Sequence, residues 1–440
     1  MKNIYITEIE IKKVRHLNKI KINLSDTECK HLIFTGKNGS GKTSVLNEIA
    51  ENLKNRTQIW RAVTHIKKEN DSKSEALKRM IKYYRKIVND YQKISEIEID
   101  TAINKTEEEF LKNSEGLNSD WILQMSKDKL DIAVKLSLND TWKSLYNEYD
   151  NGRFLLAYYK CDRVYQASVS EHIEKIELNN AYSLEETPGD LFVKYLVDLK
   201  VTEALTRNGT NQEKANAIHE WFINFEKLLR QIFEDPSLEL SFDEETFGFM
   251  ICQEGREPYN FNCMSSGFSA IMDIVLDIMI RMVKLKGKVF EFDLPGIVLI
   301  DEIETHLHLE LQKKIMSIFT KLFPNIQFIV STHSPFVLNS IDNVVIYDLE
   351  NHITVKNGLT DVPYEGIVEG YFQVDTLSDI LKEKFEEYKA LTQKTILTDE
   401  DFEEIARLEM FLDEIPDYLA LNITTEYQRL KAELAEREDI

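Results

Sequence analysis

The chain opens with apolar and polar side chains in alternation, as in a strand with one buried face. This pattern predicts a strand over residues 4–14 and a partner strand over 20–24. A short apolar run at 31–34 then leads into a glycine-rich loop. A helix is expected over about 41–53, where apolar residues return at helical spacing.

Continuous apolar runs dominate the second half of the chain. They fall at residues 154–159, 296–301, 327–331 and 343–347, and a helical pattern fills 309–322. Uninterrupted Val/Ile/Leu runs that alternate with helices are typical of a parallel sheet covered on both faces. The sequence therefore predicts an α/β fold.

The patterning changes at three places, which divides the chain into four parts. Residues 1–55 form an N-terminal lobe, 56–150 a mostly helical insertion, 151–355 a C-terminal lobe and 356–440 an acidic helical tail. No internal repeat or low-complexity linker separates these parts.

The most apolar stretch, residues 268–283, is interrupted by Asp273, Asp277 and Arg281 at four-residue spacing. This spacing places one charged stripe on a helix, which favours an amphipathic core helix over a membrane span. The alternating N-terminus lacks the apolar segment of a signal peptide. The four cysteines are scattered and form no metal-binding pattern, so a reducing, cytoplasmic location is expected.

Charge is unevenly distributed along the 440 residues, whose formal net charge is −22. The first 60 residues carry a net +5, whereas residues 371–440 carry −11. Such a balance argues against a protein that coats nucleic acid through a uniformly basic surface. The acidic tail is either a partner-docking or self-association surface or a solvated helical face, and any DNA contact is expected from the rest of the chain.

The glycine-rich segment GKNGSGKT at residues 36–43 fits the pattern of a phosphate-binding loop between a strand and a helix. Glycines let backbone N–H groups converge on a phosphate at the positive end of a helix dipole. We therefore expect ATP to bind here, with the lysine on the β- and γ-phosphates. The residues predicted to bind the nucleotide are Gly36, Asn38, Gly39, Ser40, Gly41, Lys42, Thr43 and Ser44.

Two carboxylates, Asp301 and Glu302, end the apolar strand that begins at residue 296, at the end that faces the ligand crevice of a parallel sheet. Thr43 and Asp301 are the predicted Mg²⁺ ligands, and Glu302 is predicted to polarise the attacking water. His333 follows the next buried strand and is predicted to contact the γ-phosphate.

Together these motifs resemble those of ABC-type ATPases, in the same order along the chain. The loop has the GxNGxGK[ST] form, MSSGF at 264–268 resembles the signature, ETHLH at 304–308 resembles the D-loop, and THSP at 332–335 resembles the switch-histidine segment. The resemblance implies a head with a mixed sheet flanked by helices. It also implies a head-to-tail dimer, in which Ser266 and Gly267 of one subunit close over ATP held by the other.

Within that group the motifs resemble the OLD, RecF and SMC-like ATPases, and among these the PtuA family of Septu and retron-linked anti-phage systems. The cue is GIVEGYF at 366–372 ahead of the acidic tail. Arg163, after the strand at 154–159, also resembles an arginine of defence-type ABC ATPases, whereas Gln166 is a weak candidate for the Q-loop. The D-loop proline is replaced by Leu309.

The resemblance implies an ATPase subunit that regulates a separate effector. No Toprim or HNH nuclease motif is seen in the sequence, so the implied partner is an HNH nuclease of the PtuB type, with a retron reverse transcriptase and its RNA in the retron version. Three alternatives stay open: a RecF- or SMC-like repair ATPase that itself binds DNA, an ATP-locked scaffold, and a transporter subunit, against which the THSP segment argues.

Overall fold

The computed structural model divides the chain into two compact units, Met1–Asp361 and Val362–Ile440. The structure describes residues 3–68, 131, 133–168, 175–209, 211–286, 290, 292–368, 379–394, 396–413 and 421–437. Most of the predicted helical insertion, residues 69–130, lies outside the described residues.

The first unit contains three sheets and the helices around them. In chain order its strands are β1 (Ile6–Val14), β2 (Leu17–Asn23), β3 (His31–Thr35), β4 (Val134–Leu138), β5 (Leu155–Tyr159), β6 (Glu239–Asp243), β7 (Gly248–Cys252), β8 (Tyr259–Asn260), β9 (Gly296–Ile300), β10 (Ile326–Ser331), β11 (Val344–Asp348) and β12 (Thr354–Lys356). Its helices are α1 (Lys42–Lys68), α2 (Trp142–Asp150), α3 (Phe192–Arg207), α4 (Gln212–Phe233), α5 (Ser266–Lys286), α6 (Leu309–Leu322) and the short α7 (Pro335–Leu338).

The central sheet has six strands in the order β12-β11-β3-β10-β9-β5. Its five strands from β11 to β5 run parallel, and β12 pairs antiparallel at the edge. The parallel strands are buried along their length, as their continuous apolar runs require. The predicted α/β class, a mixed sheet flanked by helices, is confirmed, whereas the antiparallel β12 was not predicted.

A second sheet, in the order β2-β1-β4, packs beside the central one. The predicted N-terminal hairpin is confirmed as an antiparallel β1–β2 pair. However, β4 lies within the segment predicted as a helical insertion and pairs antiparallel with β1. The buried amide of Gln327 joins the two sheets, since its Oε1 accepts from the backbone N of Ile6 at 2.8 Å and its Nε2 donates to the Ile6 carbonyl at 2.9 Å.

Helix α1 is longer than the sequence pattern indicated. It begins at Lys42, as predicted, but continues past the expected end at Leu53 to Lys68. The residues between contain neither glycine nor proline, so nothing in the local sequence stops the helix. Val45 and Ile49 on its first turns are fully buried against the sheets.

The charged stripe of α5 is buried. Asp273, Asp277 and Arg281 are 9%, 1% and 7% exposed, respectively, although a stripe on an amphipathic helix is expected to face solvent. Arg281 Nε donates to Asp277 Oδ2 at 2.6 Å, and this ion pair compensates the two buried charges. The helix is thus surrounded by protein on its charged side as well.

The described residues of the second unit include three helices of 14 or 15 residues, which agrees with the helical periodicity of the tail. They are α8 (Asp379–Thr392), α9 (Asp399–Asp413) and α10 (Leu421–Ala435). Their apolar faces form a small core of Phe385, Tyr388, Ile405, Leu408, Leu412, Tyr427 and Leu430. The segment GIVEGYF is described only as far as residue 368.

Among the described helices, none combines the length and the apolarity that a bilayer crossing requires.

Candidate functional site

The glycine-rich loop connects β3 to α1, as the motif requires. Gly36 and Gly41 have φ of +131° and +102°, which side chains rarely adopt. A Cβ on Gly41 would also meet Leu17 Cδ1 at 3.0 Å, and one on Gly36 would meet Ser40 Oγ at 2.9 Å. The loop therefore needs glycine at both positions, for conformation and for space. Its tip, Asn38 and Gly39, is exposed.

Lys42 lies at the first position of α1 and is buried. Its Nζ donates to the carbonyls of Gly36 at 2.7 Å and Lys37 at 3.1 Å, so the ammonium lies inside the loop. Burial lowers the pKa of Lys42, and nearby acidic groups, Glu302 first, partly offset this effect. The loop thus holds a buried cation whose partners are carbonyl oxygens of the loop itself.

The three strands that carry the predicted motifs are neighbours in the sheet. Val330 of β10 is level with Ile33 of β3 on one side and with Ile300 of β9 on the other. Because parallel strands end at one edge, the loop after β3, the carboxylates after β9 and the histidine after β10 lie together.

Asp301 connects the acidic pair to the glycine-rich loop. Its Oδ1 accepts from Thr43 Oγ1 at 3.2 Å and from Ser331 Oγ at 2.6 Å, and the residue is 1% exposed. A hydroxyl beside a carboxylate is the kind of oxygen donor set that Mg²⁺ prefers. The two predicted metal ligands are therefore brought together, and they fit the ion.

Glu302 occupies a left-handed backbone conformation with φ of +45°. Its N–H donates to Ser331 Oγ at 2.8 Å, so a single serine hydroxyl fixes the positions of both acidic residues. Backbone strain of this kind concentrates at functional sites, where the surrounding contacts maintain it.

Arg163 holds the same loop from the other side. It is 7% exposed, and its guanidinium donates to the carbonyls of Asp301 at 2.8 Å, Glu302 at 3.0 Å and Ile303 at 3.1 Å. Burial lowers its pKa, and surrounding acidic groups partly offset this. The loop that carries the acidic pair is therefore held in place by an arginine that follows β5, far earlier in the sequence.

His333 is tied to a buried glutamate in the loop after β9. Its backbone N donates to Glu304 Oε1 at 2.6 Å, and its Nδ1 lies 2.9 Å from the same oxygen. This hydrogen bond raises the pKa of His333, whereas burial opposes the rise. Burial raises the pKa of Glu304, but hydrogen bonds to the carboxylate, those from His333 first, lower it, and the net shift is downward.

The signature-like segment lies at the N-terminus of α5. Ser266 is exposed, and Gly267 packs so closely on the loop after β9 that a Cβ would meet the carbonyl oxygen of His306 at 2.7 Å. The next serine, Ser269, accepts from the backbone N of Tyr165 at 3.0 Å. The signature helix is thus anchored to the segment that follows β5.

Several residues of the site were not singled out by their sequence patterns. Ser331 is the last residue of β10, directly before THSP. Its proximity to Asp301 becomes apparent only when β9 is known to be the neighbouring strand. Glu350 accepts from the backbone N of Lys37 at 3.1 Å and steadies the loop from the turn after β11. Gln166, the weak Q-loop candidate, is exposed, and its role stays a prediction.

A family comparison matches residues 208–339, which include the signature-like segment, the acidic pair and His333. The matching family is described as "AAA domain, putative AbiEii toxin, Type IV TA system". Residues 208–339 therefore resemble an AAA-type ATPase domain.

Known proteins resemble the chain over longer stretches. A Septu protein PtuA of Bacillus mycoides (strain KBAB4) is 32% identical over 48% of this chain and 30% of its own length. The retron Vc95 probable ATPase of Vibrio cholerae serotype O1 biovar El Tor is 25% identical over 73% and 69%, respectively. The retron Ec83 probable ATPase of Escherichia coli is 36% identical over 31% of this chain and 26% of its own length.

The chain is thus homologous to the Septu PtuA proteins and the retron ATPases. The aligned region spans less than a third of the Septu protein and of the retron Ec83 ATPase. Among solved structures, an SMC head bound to the C-winged helix domain of ScpA matches 82% of this chain and 100% of its own, at 14% identity and a TM-score of 0.36.

Proposed function

We propose that this protein is the ATP-binding and ATP-hydrolysing subunit of an anti-phage defence complex, in which it regulates a separate nuclease through nucleotide-dependent dimerisation of its ATPase heads. The observation that carries the ATPase proposal is the hydrogen bond of 3.2 Å between Thr43 Oγ1 and Asp301 Oδ1. It joins the phosphate-loop motif to the acidic pair, 258 residues further along the chain.

Each residue of the site has a distinct part in this proposal. Backbone N–H groups of the glycine-rich loop, within residues 38–44, bind the phosphates at the N-terminus of α1. Lys42 turns from its loop carbonyls to the β- and γ-phosphates, since a phosphate is a stronger partner than a carbonyl. Glu302 orients the attacking water and accepts its proton, and His333 donates a hydrogen bond to the γ-phosphate.

Thr43 and Asp301 would hold Mg²⁺, which supplies charge neutralisation on the β- and γ-phosphates when it is bound. The hydroxyl of Ser331 donates to Asp301 Oδ1 at 2.6 Å and so holds this carboxylate at the carboxyl-terminal edge of the sheet. The fit rests on the oxygen chemistry of the pair and on their proximity.

The exposed N-terminus of α5 supports the proposed dimer. The exposed Ser266 offers its hydroxyl and N–H group to a second copy, and Gly267 lets the helix start pack against the loop after β9. Head closure around ATP, and opening after hydrolysis, provides two states of the dimer to which a partner binds differently.

The proposed partner is an HNH nuclease, and in a retron version also a reverse transcriptase with its RNA. The similarity to a Septu protein and to two retron ATPases supports a role within a multi-component defence system. A cytoplasmic location follows from the same proposal. A RecF- or SMC-like ATPase that binds DNA itself is the alternative that the P-loop and acidic pair also accommodate.

Two substitutions test the ATPase proposal. Lys42→Ala removes the cation that contacts the phosphates, and we expect ATP affinity to fall by at least about 100-fold, or about 2.7 kcal/mol. Glu302→Gln keeps the side-chain shape but loses the base, and we expect turnover to fall by about 100-fold or more with ATP still bound in a dimer.

Isothermal calorimetry, phosphate release and light scattering measure affinity, turnover and dimerisation. Lys37→Ala is the matched control, since Lys37 lies in the same loop with an exposed side chain. Normal turnover by Glu302→Gln would exclude Glu302 as the base. Tight, salt-sensitive binding of duplex DNA by the purified chain would favour the repair-type alternative.

A further inference from the structure

We propose that Glu304 is a positioning residue, which holds the imidazole of His333 at the edge of the sheet and determines which ring nitrogen faces the phosphate site. The inference rests on the proposed function of that site. It assigns a role to a glutamate whose sequence context indicated only a D-loop-like segment.

Glu304 contacts His333 at two points through one oxygen atom. Oε1 accepts from the backbone N at 2.6 Å and lies 2.9 Å from Nδ1. The hydrogen bond to the backbone N–H fixes the position of the His333 main chain, and the contact with Nδ1 fixes the orientation of the ring. Two such contacts to one acceptor leave the imidazole little rotational freedom.

The glutamate is the rigid member of the pair. Its side chain is 5% exposed, whereas that of His333 is 54% exposed. A buried carboxylate that stays ionised needs hydrogen-bond donors, and the leading donors to Glu304 are the ring and the backbone N–H of His333. The exposed ring is thus held from its buried side and is accessible to a ligand on the other.

The contact also selects the tautomer. An ionised carboxylate accepts hydrogen bonds and has no proton to donate, so Nδ1 must carry the proton. Nε2 is then the nitrogen presented at the site, where its protonated form donates to a phosphate oxygen. The other charged groups acting on the ring are Glu302, which favours the imidazolium, and Lys42, which opposes it.

The same glutamate belongs to the loop that touches the signature-like segment. Its second carboxylate oxygen, Oε2, is buried and has no hydrogen-bond partner within the described residues. Two residues further on, the carbonyl of His306 lies against Gly267. A shift of the ring therefore acts on the loop that contacts the signature helix.

The test is a titration of His333 by NMR, with ¹³C-labelled histidine in the full chain and His333→Asn to assign its signal. Glu304→Gln keeps an oxygen acceptor but loses the negative charge. We expect the His333 pKa to shift downward in this variant, with kcat about tenfold lower and the alkaline limb of the kcat profile moved to lower pH. KM for ATP should change less than about twofold, because the phosphate loop is intact.

Glu310→Gln is the matched control, since Glu310 is an exposed glutamate paired with Lys313 on α6. It should leave the His333 titration and kcat unchanged. Glu304→Asp retains the charge, so it should keep the His333 pKa raised and retain part of kcat. If Glu304→Gln does not fold, a His333 pKa that is not raised in Glu304→Asp would overturn the inference instead.

An unchanged His333 titration in Glu304→Gln would overturn the inference, whatever the ATPase activity. A wild-type chain without turnover would instead refute the proposed function, because the NMR signal does not depend on ATP hydrolysis.

Discussion

Two clusters of charged and polar side chains in the first unit differ in how completely their groups are paired. The first is the strand-end cluster at the candidate site: Thr43, Glu304, Asp301, Arg163 and His333. The second is the α5 cluster, formed by Asp277, Arg281 and Tyr159. Asp301, Glu304 and Arg163 of the first cluster are as deeply buried as Asp277 and Arg281 of the second, so burial by itself does not distinguish a functional cluster from a structural one.

In the α5 cluster the hydrogen-bonding groups have partners. Asp277 accepts from Tyr159 Oη at 2.5 Å, Gly189 N at 2.9 Å and Arg281 Nε at 2.6 Å. Arg281 also donates to the carbonyls of Leu156 at 3.2 Å and of Ser183 at 3.1 Å. A network with its donors and acceptors matched stabilises the fold.

Buried polar atoms without partners lie in the strand-end cluster and in the glycine-rich loop beside it. They include Thr35 Oγ1 and Ser40 Oγ at the phosphate loop, Arg163 Nε and Glu304 Oε2, taken over the described residues. Orphaned buried groups are rare in folded proteins, and each calls for an explanation. Their concentration around one strand edge indicates a place prepared for something other than the chain itself.

The largest change in stability is expected from a substitution that disrupts the α5 cluster. Arg281→Met leaves Asp277 buried without its cation, and we expect the free energy of unfolding to fall by about 3–5 kcal/mol. All four tryptophans lie within residues 1–361, so urea unfolding followed by tryptophan fluorescence reports on the first unit.

Arg207→Met is the control for this change, because Arg207 pairs with Glu203 at 2.7 Å but is 52% exposed. Its loss should cost less than about 1 kcal/mol. An equal decrease in the free energy of unfolding in the two variants would show that burial of the Arg281–Asp277 pair does not increase its contribution to stability.

A smaller, pH-dependent effect is expected at Asp273, which lies between the clusters. Burial, with the charge of Asp277, raises its pKa to about 7, and Arg163 partly opposes the rise. An acid whose pKa is raised in the folded state destabilises the fold as pH rises from its unfolded value towards 7. Asp273→Asn should therefore stabilise the protein by on the order of 1–3 kcal/mol at pH 8.5 and have little effect at pH 4.

Thermal melts at the two pH values measure this difference. The exposed Asp26 provides the control, since Asp26→Asn should shift neither melt appreciably. A stabilisation that is the same at both pH values would mean that the charge of Asp273 is not its cause.

The smallest effect concerns the orphan hydroxyl of Thr35, a fully buried residue at the end of β3. Thr35→Val removes this hydroxyl without removing a hydrogen bond, and we expect stability to rise by up to about 1 kcal/mol. Thr57→Val is the control, because Thr57 Oγ1 donates to the Lys54 carbonyl at 2.8 Å and its loss should destabilise by a similar amount.

Urea unfolding of both valine variants measures the contrast, and nucleotide affinity measured alongside shows whether the Thr35 hydroxyl also serves the site. If Thr35→Val is less stable than the wild type, the Thr35 hydroxyl makes a stabilising hydrogen bond, as the groups of the α5 cluster do. The difference between the two clusters would then be smaller than proposed.

Much of the central fold followed from the sequence, because its signals are local. Continuous apolar runs predicted the buried parallel strands, and GKNGSGKT between a strand and a helix predicted the phosphate loop and the start of α1 at Lys42. The pattern around 134–138 was mistaken for helix, since a five-residue strand within a polar region has little periodicity of its own. Its pairing with β1 is a contact across the chain.

The sequence by itself therefore determined the α/β class, and it located the glycine-rich loop, the acidic pair and the histidine as a candidate site. Only the tertiary structure decided their neighbours: Ser331 on Asp301, Arg163 on the loop carbonyls and Glu304 on His333. The physical reason is that these partners are polar groups buried by strand order and register, and neither property can be read from the residues next to them in sequence.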